Sequence, residues 1–221
     1  MLAYTLIGMQ TGPEFIVFSV LILVFSVIIH EIAHGWAAYA QGDPTAKLQN
    51  RLTLNPIPHI DLFGTILLPG LLALIGTPFI FGYAKPVPYN PYNLRNQRWG
   101  EALVAIAGVA TNIFLAVVFG LLARYAYANG AGTFGDLAAL VTLVNLFLGV
   151  FNLLPIPPLD GYSFLRSILP LKKAMAFREF EDRIMRGGFL TLIVFLLVFG
   201  YFLSRPFSAL VLYIFNALIG A

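Results

Sequence analysis

The sequence predicts an all-α membrane protein, a polytopic helical bundle of about five to six transmembrane segments. Of its 221 residues, 59% are hydrophobic and only 10% are charged, whereas a soluble globular domain carries about 25% charged residues. The mean hydropathy of +0.86 agrees with this. No polar stretch is long enough to fold as a separate aqueous domain, so we expect residues 1–221 to form one intramembrane domain.

Apolar runs of nearly the length needed to cross a membrane, about 20 residues, occur five times. They cover residues 15–40, 101–127, 137–154, 187–203 and 206–221. A sixth run, residues 62–81, is interrupted by proline and glycine, so we expect it to be re-entrant or to lie along the interface. Residues 45–54 alternate apolar and polar side chains, which is compatible with a short β-hairpin near residues 45–60.

Composition also excludes several classes of protein. The net charge of +3 indicates membrane orientation rather than a nucleic-acid surface, so the expected environment is the lipid bilayer. The chain has no cysteine, which excludes disulfides and thiolate ligands and leaves His, Asp and Glu for any metal site. The first thirteen residues hold no Lys or Arg, so we expect the first apolar run to be retained rather than cleaved as a signal peptide.

The motif H-E-I-A-H, residues 30–34, places ionisable groups inside the first apolar run. On a helix, His30 and His34 project from the same face one turn apart. Two such imidazoles can bind one Zn²⁺, and Glu31 can act as a general base on water. Ionisable groups in hydrocarbon are costly unless paired or metal-bound, which favours a functional site over side chains satisfied only by neighbouring helices.

A catalytic zinc site needs a third protein ligand, and carboxylates near the apolar runs are few. They are Asp61, Glu101, Asp136 and Asp160. Asp160 follows a proline-broken helix end in "FNLLPIPPLDGY", and broken backbone at membrane depth is buried in protein or lines a polar cavity. Asp61 and His59, in "NPIPHID", could return to His34 through a short loop. Either carboxylate could instead cap a local turn, and the local sequence leaves this choice open.

Two separated motifs carry a family resemblance. "HEIAHG" is followed by "NLLPIPPLDG", which has the pattern N-x-x-P-x-x-x-L-D-G. In this order they resemble the site-2 protease family of intramembrane zinc metalloproteases, over roughly residues 15 to 170. No stretch could form the PDZ domain that many members insert, so the chain is similar to the small, minimal members of that family, and we expect a prokaryotic cell membrane.

The resemblance implies a site and a reaction. His30, His34 and Asp160 would bind one Zn²⁺, Glu31 would be the catalytic base, and Asn152 would orient the substrate or stabilise the oxyanion. The substrates would be transmembrane segments of membrane proteins, cut during regulated intramembrane proteolysis.

Three further residues are candidates for supporting the metal site or contacting the substrate. "AGVATN", residues 107–112, is similar to the family's A-G-P-x-x-N helix start, although Val109 replaces the usual proline, and it contributes Asn112. The other two candidates are His59 and Asp61.

Topology gives an independent expectation. The H-E-I-A-H motif lies towards the C-terminal end of the first helix, and Asp160 follows the C-terminal end of the helix predicted at residues 137–154. The two can meet only if both helices enter the membrane from the same face, which requires an odd number of membrane crossings between them. Residues 101–127 supply one crossing, and residues 62–81 therefore should not span. Eleven of the 13 Lys and Arg residues then lie on one side, with Arg124 and Arg205 on the other. The positive-inside rule places the site towards the cytoplasm, the N-terminus outside and the C-terminus inside.

The alternative function is a multi-pass metal-ion transporter or metal-binding membrane scaffold that uses the same ligands without hydrolysis. Glu31 distinguishes the protease from the transporter, because a transporter needs no base beside the first histidine.

Overall fold

The computed structural model describes residues 13–75 and 82–220, and within these ranges the chain is helical with no β-strand. The helices are α1 (Pro13–Ala40), α2 (Thr45–Leu48), α3 (Leu68–Ile75), α4 (Gln97–Ala128), α5 (Gly132–Asn152), α6 (Asp160–Ile168), α7 (Leu171–Met185), α8 (Gly188–Val198) and α9 (Ser204–Ile219). Four helices of the described ranges are long and apolar enough to cross a membrane. The predicted all-α polytopic bundle is confirmed.

The antiparallel pair α4–α5 forms the centre of the bundle. Small residues are fully or almost fully buried on both helices, among them Ala116 and Ala123 on α4 and Ala138 and Ala139 on α5. Small side chains let helix backbones approach closely, which is how helices associate in the absence of a hydrophobic driving force between them. The close packing of α4 on α5 holds the polar residues of both helices at fixed positions.

The outward faces of the helices remain apolar. On α1, Val17, Val20 and Leu23 are exposed, and α4 likewise exposes Phe114 and Leu121. Large apolar surfaces of this kind are not tolerated in water but are ordinary in contact with lipid. The protein is therefore an integral membrane protein.

The two last predicted spans, 187–203 and 206–221, form one continuous helix rather than two. A π-helical turn, Phe199–Leu203, joins α8 directly to α9, and the membrane-length segment runs from Ile193 to Ile219. Pro206 removes a backbone donor, and a π turn is one way for a helix to accommodate such an interruption without ending. The described ranges thus hold four candidate spans where the sequence predicted five to six.

This fused helix corrects the predicted position of the C-terminal end. A Cβ placed on Gly220 would lie 3.0 Å from Nε of Arg124, so the end of α9 lies beside the end of α4. The start of α4 lies at the opposite end of the bundle, beside the end of α1, because the Gln41 side chain donates to the Gly100 carbonyl. The prediction that the C-terminus lies on the same side as the metal motifs was wrong, because the chain crosses the membrane once where two crossings were predicted.

The segment that follows residue 61 begins and ends at the same place in the structure. It consists of a π-helical turn, Leu62–Leu67, followed by α3, and residues 76–81 lie outside the described ranges. Its two ends meet, since the Tyr83 amide donates to the Gly64 carbonyl at 3.0 Å. The segment is absent from the four membrane-length helices. This geometry agrees with the expected non-spanning excursion.

The β-hairpin near residues 45–60 is not formed. The chain there contains α2 and a 3₁₀ turn, Ile57–His59. Asp43 accounts for the difference, because its carboxylate accepts from the amide and hydroxyl of Thr45 and starts a helical turn. These local hydrogen bonds outweigh the alternating pattern that favoured a strand.

Asp43 also ties the end of α1 to the loop before α4. Its carboxylate accepts from the Asn90 amide at 2.7 Å and from the Asn93 side chain at 2.8 Å. Burial alone would raise the pKa of Asp43, but the hydrogen bonds from Thr45, Asn93 and Asn90 outweigh it and hold that pKa below its usual value. The loops on both sides of α3 therefore lie at the same end of the bundle.

Candidate metal centre

Three side-chain atoms that could bind a metal ion meet in the bundle, and they come from two helices. His30 and His34 lie on α1, and Asp160 is the first residue of α6. The two Nε2 atoms are 3.0 Å apart, and Asp160 Oδ2 lies 3.1 Å from that of His30 and 3.4 Å from that of His34. Ligands bound at about 2.0–2.1 Å around a tetrahedral zinc are separated by about 3.3 Å. Among the described residues, these three form the one cluster spaced to hold a metal ion.

The protonation of both imidazoles is fixed by their second nitrogens. His34 Nδ1 lies 2.7 Å from the Val104 carbonyl, which can only accept, so the proton is on Nδ1. His30 Nδ1 lies 2.5 Å from Asn112 Oδ1, also an acceptor. Both Nε2 lone pairs therefore face each other and Asp160 Oδ2, which is buried without a hydrogen-bond donor. Three acceptors this close need a metal ion or a proton between them, and two imidazoles with one carboxylate are a typical set for catalytic zinc.

The start of α6 delivers Asp160 to the imidazoles. Prolines at 155, 157 and 158 follow α5 and cannot continue its hydrogen-bond pattern. Gly161 then packs against the end of α5, where a Cβ would overlap the Leu153 carbonyl and lie 2.8 Å from that of Leu154. The absence of a side chain at residue 161 lets α6 begin close enough for its first carboxylate to reach α1.

Backbone of α4 closes the opposite side of the cluster. A Cβ on Gly108 would lie 2.5 Å from His34 Nε2 and 2.6 Å from His30 Cε1. Gly108 belongs to the "AGVATN" stretch, so this stretch contributes both a close approach and the hydrogen bond of Asn112 to the site.

Glu31 is held by an extended segment, residues 83–88. Its Oε2 accepts from the Val87 amide at 2.8 Å. The segment is fixed in turn by Arg51, which is 5% exposed and donates to the carbonyls of Lys85, at 2.6 Å, and Pro86, at 3.2 Å. The carboxylate beside the first ligand thus has a defined orientation.

His59 and Asp61 support this segment and lie outside the metal cluster. His59 is buried, its Nε2 lies 2.9 Å from the Thr53 carbonyl, and its own carbonyl accepts from Lys85. Asp61 Oδ1 accepts from the Gly64 amide at 2.7 Å and caps the following helical turn. A role for either residue towards substrate stays a prediction.

The other carboxylates considered as ligands have different partners. Glu101 is buried and pairs with Arg166 at 3.6 Å and Arg178 at 3.3 Å, which anchors α6 and α7 to α4. Asp136 accepts from the Tyr127 hydroxyl at 3.0 Å.

The two predicted asparagines have different surroundings. Asn112 is fully buried and binds His30 directly. Asn152 is the last residue of α5, and its side-chain amide donates to the Leu148 carbonyl one turn back, at 3.0 Å. Its role towards substrate or oxyanion remains a prediction.

Sequence reasoning missed Arg51, Ser26 and Asn145. Asn112 Nδ2 donates to Asn145 Oδ1 at 2.8 Å, and Asn145 Nδ2 donates to Ser26 Oγ at 3.0 Å. A signal for Asn145 was present, since it is an amide within an apolar run, and polar groups in membrane helices usually serve function. Arg51 gave no such signal, because it lies in a polar loop.

These features define a class. Two histidines and an aspartate with a neighbouring glutamate, set among membrane-length helices, are the arrangement expected of an intramembrane zinc metalloprotease.

Comparison with known proteins identifies the family. Residues 126–195 match the model of peptidase family M50. The chain is 39% identical over 163 residues to "Putative zinc metalloprotease YwhC" of Bacillus subtilis (strain 168), covering 69% of each chain. It is 29% identical over 193 residues to "Putative zinc metalloprotease Rip2" of Mycolicibacterium smegmatis, covering 87% of this chain and 71% of the relative. The protein therefore belongs to peptidase family M50, the site-2 protease family.

A more distant relative is "Zinc metalloprotease MJ0392" of Methanocaldococcus jannaschii, 28% identical over 169 residues, with 76% of this chain and 39% of the relative covered. No solved structure matches the chain. The zinc-protease function and the Zn²⁺ cofactor expected from the sequence are confirmed, and the transporter alternative is not favoured.

Proposed function

We propose that this zinc protease hydrolyses peptide bonds within or near transmembrane segments of membrane proteins, with His30, His34 and Asp160 as zinc ligands and Glu31 as the base. The observation that carries the proposal is the triangle of three acceptor atoms, 3.0 to 3.4 Å apart. Two of these atoms lie on α1, the helix that also bears Glu31, and the third lies at the start of α6. Its position among membrane-length helices favours a substrate that is itself in the membrane.

The bound zinc would supply Lewis acidity to the scissile carbonyl and to a water molecule. The protein's own groups do the rest. Glu31 accepts the proton of the attacking water and passes it to the leaving amine. The Val87 amide holds one carboxylate oxygen of Glu31, and the other remains for that proton. Asn112 and the Val104 carbonyl keep the imidazoles in their ligating form.

We also propose that the site faces the cytoplasm of a prokaryotic cell. The loops 41–61, 82–100 and 159–186 carry eleven of the 13 basic residues, and basic residues favour the cytoplasmic side. The Asp43 hydrogen bonds, which join the first two of these loops, support their common location. The relatives named above come from bacteria and an archaeon.

A cleavage assay tests the proposal. Purified protein in detergent is incubated with single-span membrane segments, before and after removal of metal by a chelator, and the products are mapped by mass spectrometry. We expect cuts within or beside the apolar stretch that stop on chelation and return with added Zn²⁺. Metal-independent cleavage, or cleavage restricted to water-soluble peptides, would contradict the proposal.

A further inference from the structure

We propose that Asn145 is a positioning residue of the metal centre, which acts through Asn112 to keep His30 in the form that can bind zinc. The inference rests on the proposed ligand role of His30. It concerns a chain of four buried polar side chains, here called the buried polar chain. Its members are Ser26, Asn145, Asn112 and His30.

The buried polar chain connects three membrane-length helices. Ser26 and His30 lie on α1, Asn112 lies on α4, and Asn145 lies on α5. Both asparagines are 0% exposed, and Ser26 and His30 are 4% and 5% exposed. Water therefore cannot substitute for a lost partner without entering the bundle. Each hydrogen bond in such a dry environment has a strong influence on the orientation of its neighbours.

The two histidines differ in how their tautomers are fixed. His34 Nδ1 faces the Val104 carbonyl, a group that can only accept. His30 Nδ1 instead faces a side-chain amide, that of Asn112. An amide has an oxygen on one side and an NH₂ group on the other, and it can present either. The binding form of His30 therefore depends on whatever sets the orientation of Asn112.

Asn145 makes the shorter of the two contacts that set this orientation, since Asn112 Nδ2 lies 2.8 Å from Asn145 Oδ1 and 3.5 Å from the Ser26 backbone carbonyl. Its Nδ2 lies 2.9 Å from the Val141 carbonyl, one turn back on α5, and 3.0 Å from Ser26 Oγ. Because the carbonyl can only accept, the NH₂ group of Asn145 must face it, and Oδ1 must face Asn112. Asn112 then presents its own NH₂ group to that oxygen at 2.8 Å and turns Oδ1 towards His30.

The consequence reaches the ligand atom. With Asn112 Oδ1 on one side, His30 carries its proton on Nδ1, and the lone pair of Nε2 is free for the metal. If Asn112 were reversed, its NH₂ group would face Nδ1 and favour the tautomer with a proton on Nε2. A protonated Nε2 cannot be a ligand. A backbone carbonyl of α5 thus acts, through two amides, on the binding state of a histidine on α1.

Zinc affinity of the variant Asn145→Leu tests this inference. Leu is apolar and of similar size, and it removes the Oδ1 acceptor that holds the NH₂ group of Asn112 at 2.8 Å, which leaves that group the longer contact of 3.5 Å with the Ser26 backbone carbonyl. We expect the zinc dissociation constant, measured by competition with a chromophoric chelator, to rise by about 10- to 100-fold, as for loss of a partner that orients a ligand. The matched control is Thr142→Val on the same helix. Thr142 is also 0% exposed and donates to a carbonyl one turn back, that of Ala138, and its loss should leave zinc affinity unchanged.

A rescue experiment distinguishes an effect on the orientation of Asn112 from an effect on the packing of α5. In the double variant Asn112→Asp with Asn145→Leu, the carboxylate presents an acceptor to His30 whichever way it turns. We expect this second change to recover about tenfold of the lost affinity. A defect caused only by altered packing of α5 would not be relieved by a charge on α4. If Asn145→Leu does not fold, Asn145→Ser replaces it, since Ser can still donate to the Val141 carbonyl but is too short to reach Asn112.

The outcomes distinguish this inference from the proposed function. Wild-type protein that binds zinc, together with an Asn145 variant of unchanged affinity, would overturn the inference alone. So would an equal loss in the Thr142→Val control, or a double variant without recovery. A wild-type protein that binds no zinc would overturn both.

Discussion

Gly108→Ala should disable the metal centre without removing any ligand. The new Cβ would lie 2.5 Å from His34 Nε2 and 2.6 Å from His30 Cε1, whereas non-bonded heavy atoms prefer about 3.5 Å or more. The overlap is about 1 Å on each ring. Neither imidazole can swing away freely, because Asn112 and the Val104 carbonyl hold their other nitrogens.

The expected loss of zinc affinity follows from how little the distances between zinc and its ligands can vary. Distances in zinc sites stay within about 0.2 Å of their ideal values, so a displacement near 1 Å affects both imidazole bonds. We expect zinc affinity to fall by about 100-fold or more, beyond the range for a lost supporting hydrogen bond. This corresponds to about 2.8 kcal/mol.

The assay is a chelator competition on purified protein, with thermal unfolding of the metal-free form measured in parallel. Gly132→Ala is the control, because a Cβ at the start of α5 meets no atom within 4 Å. Excess zinc should restore part of the hydrolysis lost by Gly108→Ala. Wild-type zinc affinity in that variant would refute the reasoning, since the cluster would then tolerate a side chain in contact with both rings.

Three further predictions concern ligands, base and topology. Asp160→Ala should strip zinc from the purified protein while Asp61→Ala retains it, measured as zinc per protein; the reverse result would show that the ligand assignment is wrong. Arg51→Met should keep zinc but lower turnover by about tenfold or more, as expected for a mispositioned base, because the segment that holds Glu31 loses its anchor; equal kcat in mutant and wild type would argue against this. Single cysteines at Leu48 and Tyr92, both well exposed, should be labelled from the same side of the membrane, and labelling from opposite sides would exclude a non-spanning segment between them.

The structure brings together the three residues that the sequence proposed as ligands, and this proposal was possible because their chemistry is local. His30 and His34 are one helical turn apart, and the prolines before Asp160 indicate that a helix ends at a polar position. The third ligand needed the family motif, since Asp61 was equally plausible from local sequence. In the structure Asp61 lies outside the cluster of His30, His34 and Asp160, and its Oδ1 accepts from the Gly64 amide.

What the sequence could not predict depends on packing between distant segments. The contact of Asn145 with Asn112 requires the register of α5 on α4, and that of Glu31 with Val87 requires residues 83–88 to return beside α1. The last two apolar runs were counted separately, whereas the π turn at the end of the first run keeps the helix continuous. The hairpin near residue 45 was wrong because the hydrogen bonds of Asp43 with Thr45 outweigh an alternating pattern.

The most direct measurement of the central claim compares hydrolysis and zinc content in Glu31→Gln. Gln keeps the shape of Glu31 and can still accept from the Val87 amide, but it cannot take a proton from water. We predict one zinc per protein, as in wild type, and cleavage of a transmembrane peptide lowered by at least about 100-fold. Glu179→Gln, at an exposed position on α7, is the control and should cleave normally. Turnover of Glu31→Gln close to that of wild type, with zinc bound, would contradict a protease mechanism in which Glu31 is the base.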